Sequence, residues 1–116
     1  MKKSAPSGAK PTETLHMIFR NYLYIFCAPG MDATVTCVDL HGSNGFLTQI
    51  IGVASTAEAS AAAVAGVTRG AQVVELCGAF GPDEISQVKA AVGDGVPVGA
   101  VTFALDQLDA LNRIFS

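Results

Sequence analysis

The stretch V-E-L-C-G-A-F-G, residues 74–81, carries the residue types best suited to chemistry in this 116-residue sequence. On an extended strand residues two apart share a face, so Glu75 and Cys77 project together while Val74 and Leu76 point the other way. A carboxylate beside a thiol, at a turn leading into a helix, suggests Cys77 as nucleophile, Glu75 as base or orienter, and the amides around Gly78 and Gly81 as an anion cradle. Thiolates at helix N-termini ionise up to several units below the free value of ~8.5. Against this, no histidine neighbours the pair, and Asp83 and Glu84 would repel the anion that a helix terminus attracts. The plainer alternative makes Cys77 a small buried hydrophobe, Phe80 a plug at the end of the core, and Glu75 the partner of a base such as Arg69.

Two further residues join the set. Cys27 ends the run Y-I-F-C-A-P-G, and if its strand lies parallel to the one bearing Cys77, two thiols share a rim. His41, beside Gly42-Ser-Asn-Gly45, is a candidate loop base, the plainer alternative being a solvated loop histidine. The candidate ligand-binding residues are therefore Cys27, His41, Glu75, Cys77, Gly78 and Gly81. Two thiols with only His16 and His41 as nitrogen ligands fall short of a zinc or copper site, so neither a metal nor a cofactor is expected. The glycine-rich phosphate and dinucleotide loops, the G-x-S-x-G elbow and H-E-x-x-H are all missing. No reaction class is assigned, and whether the protein is an enzyme stays open.

Composition bounds the rest. Half the residues are hydrophobic and 15% charged, oily for one small domain, which predicts apolar surface buried between subunits of a homo-oligomer. From Thr14 onward four basic residues face nine acidic ones, a formal net of −5. Such a body cannot neutralise a row of phosphates, so nucleic acid and anionic membranes are not expected partners. Three cysteines without a C-x-x-C pair, no apolar secretory run near the start and no apolar stretch approaching ~18 residues point to the cytoplasm.

The elements that must hold these side chains follow from pattern. Residues 1–14, MKKSAPSGAKPTET, have almost nothing to bury and read as a disordered extension, leaving 15–116 as one domain. Strands are predicted at 22–27, 34–39, 46–53, 71–77 and 97–103, the second and third joined as a hairpin by the loop 41–45. The first of these, aromatic and β-branched, suits burial on both faces. Ser55-Thr-Ala-Glu58 matches a capping box before an alanine-rich helix that Arg69 and Gly70 close. Gly81-Pro82-Asp83-Glu84 opens a second helix with Ile85, Val88 and Val92 inward, ended at Gly93. Leu105, Leu108, Leu111 and Phe115 recur at helical spacing near the end. The expected fold is α/β: a mostly parallel sheet of four to five strands with helices packed on it, and a βαβαβ core from residue 46 onward.

The run V-E-L-C-G-A-F-G-P-D, the later A-V-G-D-G-V-P-V-G-A-V with Phe103, and Y-I-F-C-A-P-G resemble a family of small bacterial proteins catalogued only as a domain of unknown function. The resemblance spans about residues 22–103 and implies a compact α/β domain with no assigned activity. Residues 31–45 match its pattern poorly. In open parallel sheets ligands bind beyond the carboxyl ends of strands, which makes 77–81 the expected rim of a small-molecule site. The alternative is a non-catalytic module that assembles through its apolar helices, above all Leu105, Leu108, Leu111 and Phe115.

Overall fold

The computed structural model describes residues 18–115; the extension expected over 1–14, and His16, lie outside them. Five strands form one sheet: β1 (Asn21–Cys27), β2 (Cys37–His41), β3 (Leu47–Val53), β4 (Val73–Leu76) and β5 (Val98–Ala100), in the order β2-β3-β1-β4-β5. Both β3 and β4 run parallel to β1, β5 runs parallel to β4, and β2 pairs antiparallel with β3 as a hairpin. Helix α1 (Ala59–Thr68) links β3 to β4, α2 (Pro82–Val92) links β4 to β5, and α3 (Leu108–Phe115) follows a 3-10 turn at Leu105–Gln107.

This order decides which face is covered. From β3 over β1 to β4, and on to β5, the chain advances across the sheet in one direction. Right-handed crossovers in one direction place their helices on one face, and α1 and α2 accordingly pack against each other there. Leu23, Ile25, Ile51, Val53, Val74 and Leu76 point into that layer and are buried with Val88 and Phe80. The alanines do the close work: Ala59, Ala62, Ala63 and Gly66 form the buried stripe of α1. A methyl group at Gly66 would collide with Leu23 Cδ2. Ile85 and Val92 flank Val88 against the same core, as the spacing of α2 predicts.

Among the described residues no helix is packed over the other face. Tyr22, Tyr24, Phe26 and Ile50 are only half-buried there, and Val38 and Leu40 are 53% and 52% exposed. The expectation that strand 22–27 is buried on both faces is therefore corrected: the one-way order puts both crossover helices on the first face, and on the second the Met31 side chain lies only over the Phe26–Gly52 end.

Three other boundaries move for local reasons. Residues 32–36 form a turn rather than strand, since Asp32 Oδ1 accepts both the Thr34 amide and hydroxyl, and the Asp32 carbonyl takes the Thr36 amide. The strand thus starts at Cys37 and continues through His41, which is its last residue and not a loop residue. Ser55 makes no side-chain cap; Glu58 Oε1 instead accepts the Ala54 amide at 3.3 Å, and a 3-10 turn at Thr56–Glu58 precedes α1. The last strand is short, and residues 101–104 leave it. Gly70 (φ +106°) and Gly93 (φ +83°) end α1 and α2 in backbone that only glycine adopts freely.

Candidate functional site

Because β1 and β4 are parallel neighbours, Cys27 and Cys77 leave the sheet at the same rim. The Cys27 amide donates to Cys77 Sγ at 3.4 Å. Burial, then the neighbouring Cys77 and Glu58, push the Cys27 thiol above its ordinary pKa. Near neutral pH Cys27 is a protonated, weakly nucleophilic thiol, and Glu58 at the start of α1 stands close enough to act on it.

Glu75 lies on the open face, opposite Tyr24 on one side and Gly99 on the other. Its partner is the Tyr22 hydroxyl, which donates to Glu75 Oε1 at 2.7 Å. Burial and that bond push Tyr22 up to about 12, and burial followed by the Cys77 and Glu75 charges raises Tyr24. Arg69 is not available to Glu75, as the ion-pair alternative supposed. Its guanidinium pairs with Asp39 across the hairpin edge and donates to Gln49 Oε1 at 3.0 Å. The bond from Arg69 holds the Asp39 carboxyl below the usual carboxylate range.

The remaining expected residues separate. Gly78 lies under the Phe103 ring, 3.0 Å from where its Cβ would stand. Gly81 precedes α2, and its amide donates to Glu84 Oε1 at 3.0 Å, so the helix terminus already holds a carboxylate. His41 ends β2 opposite Leu47, the first residue of β3, at the end of the sheet away from Cys27 and Cys77. Among the described residues no group of three or more His, Cys, Asp or Glu side chains is disposed to hold a metal ion. No helix among them is long and apolar enough to cross a membrane.

A cleft of about 620 Å3 opens beside the thiol rim, between the β1–β2 loop and α1. Met31, Ala33, Ile51, Ala61, Ala62 and Ala65 give it apolar walls, and Asp32 and Glu58 are the acids in its lining. The Thr34 hydroxyl, bonded to Asp32, lowers that carboxyl's pKa and keeps it ionised. Sequence reasoning missed these residues because Thr34 and Val35 look like strand and Glu58 looks like a cap. The D-x-T pattern at Asp32–Thr34, an Asx-turn former, was the available signal.

The signature of a family of unknown function, DUF6506, matches residues 20–116. The chain belongs to that family. No match was found among curated proteins or among solved structures. In this DUF6506 chain the matched span begins just before β1 and contains the whole sheet, all three helices and the cleft.

Proposed function

We propose that the domain binds a small organic cation with an apolar body, held in the cleft between residues 31–34 and α1. The observation that carries the reading is the cleft itself. Its volume falls within the range of ligand pockets, about 300–1,000 Å3, and it opens at the carboxyl ends of parallel strands. Its lining has alanine and methionine walls, two acids and no Lys or Arg, which favours an ammonium group over an anion. Cys27 stands near Glu58 of the cleft and bonds to Cys77, while Glu75, Gly78, Gly81 and His41 are outside its lining.

Calorimetric titration with primary alkyl- and arylalkylamines tests the reading. Amines are expected to bind, the corresponding alcohols to bind at least tenfold more weakly, and Ala65→Phe, which fills the cleft from an exposed helical position, to abolish the heat. Equal binding of amine and alcohol, or full binding by Ala65→Phe, would refute it.

A second reading, self-association into a homo-oligomer, is favoured by a separate observation. Among the described residues the apolar side chains at the end of α3 are left largely open: Ile114 and Phe115 are 75% and 79% exposed, as is Leu105 of the preceding 3-10 turn at 86%.

A further inference from the structure

We infer that α3 of one chain seats its apolar stripe on the open sheet face of a second copy, and that the second copy returns its own α3, giving a closed two-fold dimer. The inference rests on the self-association reading and names its geometry.

Among the described residues, two surfaces of the chain have no helix or sheet packed on them. The first is the open face. Parallel sheets are ordinarily covered on both sides, yet Val38, Leu40, Ile50 and Tyr24 lie here in adjoining strands β2, β3 and β1 with none of the described helices above them. The second is α3. Leu108, Leu111, Ile114 and Phe115 fall on one side of it, while Asp109, Asn112 and Arg113 fall on the other. An isolated helix shorter than about 12 residues is marginal in water, because nucleation costs more than a few hydrogen bonds return. Eight residues that pack on little besides the preceding 3-10 turn therefore need a surface to lie on.

The two surfaces match in size. A helix is about 10 Å wide with its side chains. Two strand spacings, from β2 across β3 to β1, span about the same. The exposed apolar side chains of β2, of residues 101–105 and of α3 amount to on the order of 900 Å2 per chain, close to what each partner contributes to a standard-sized interface. Exchange between copies, rather than folding back, follows from the link. Residues 101–104 are short and fixed at the rim, the Val101 amide bonding to the Leu76 carbonyl at 2.9 Å and the Phe103 ring lying on Gly78. Short, constrained links favour trading an element with a neighbour, and since each chain carries one helix and one face, the exchange closes at two.

Light scattering on the full chain, combined with two variants, tests this. The wild type is expected at twice the 11.9 kDa chain mass. Ile114→Asp on the helix and Leu40→Glu on the sheet should each weaken the dimer about 100-fold or more, since each change acts twice per dimer and each lost apolar contact is worth tenfold or more. Circular dichroism should show both still folded, because neither residue reaches the core. In a Cys37→Ser background, mixing Leu40→Cys chains with Ile114→Cys chains should give an oxidised dimer containing one of each. A dimer that ignores both variants, or that fails to cross-link, would overturn the helix exchange while self-association stood. A wild-type monomer would overturn both, and a monomer whose Ile114→Asp variant loses stability would identify α3 as folded onto its own sheet.

Discussion

Arg69→Ala is the most informative change to the scaffold, because one side chain ties the antiparallel edge strand to the buried layer. Gln49 is fully buried: its Nε2 donates to Asn21 Oδ1 at 2.9 Å and to the Gly66 carbonyl at 3.1 Å, and its Oε1 accepts from Arg69. Removing the guanidinium leaves that oxygen without its donor, which costs about 1–3 kcal/mol. The Asp39 ion pair is half-exposed and adds little that salt does not screen. For a domain this size the loss corresponds to a fall in Tm of roughly 4–12 °C. Denaturant unfolding in low and high salt separates the parts: the Gln49 component persists in high salt and the Asp39 component disappears. The Asp39 folded pKa is lowered, so its contribution is present above the unfolded value, near ~3.9, and fades as pH falls through the folded one. A loss under about 0.5 kcal/mol, or one that salt removes entirely, would refute the reasoning that Gln49 depends on Arg69.

Three further outcomes are expected. Gly66→Ala should destabilise by about 1–2 kcal/mol in denaturant unfolding, since overpacking Leu23 outweighs the ~1 kcal/mol gained in helix propensity; a stabilised variant would mean that α1 sits farther from β1 than described. Tyrosinate absorbance should show Tyr22 still protonated at pH 10, with Glu75→Gln shifting it down. Because the folded value is raised, the stability from neutral Tyr22 is full below the ordinary tyrosine value of ~10 and is lost as pH climbs toward about 12; an unshifted tyrosine in both proteins would contradict the Tyr22–Glu75 bond. Iodoacetamide should modify exposed Cys37 much faster than Cys27 in native protein near pH 7.5, and rapid loss of the Cys27 thiol would contradict its protonated state.

How far the fold could be read from the chain depends on where its information lies. Periodicity is local, so α1, α2 and the strands at 22–27 and 46–53 were legible, as was the hairpin. Strand order is not local. Only the β2-β3-β1-β4-β5 arrangement shows that both crossovers advance the same way and put α1 and α2 on the face opposite Tyr22, Tyr24 and Ile50. The parallel pairing of β1 with β4 brings Cys27 to Cys77, as their positions at strand ends suggested, whereas His41 could not be placed without knowing that β2 runs antiparallel and ends away from the rim. Glu75 was read with Arg69 because nothing in the sequence reveals that Asp39 stands nearer. The cleft escaped notice because it is built from plain alanines and a turn, whose residue types advertise packing rather than binding.

Amide chemical-shift mapping during titration of the 15N-labelled full chain with a primary arylalkylamine is the most direct test of the binding proposal. Shifts concentrated at residues 31–34 and 58–65, saturating together, are predicted. Shifts confined to the open face around Tyr24 and Glu75, or no saturable shifts for any amine, would contradict it.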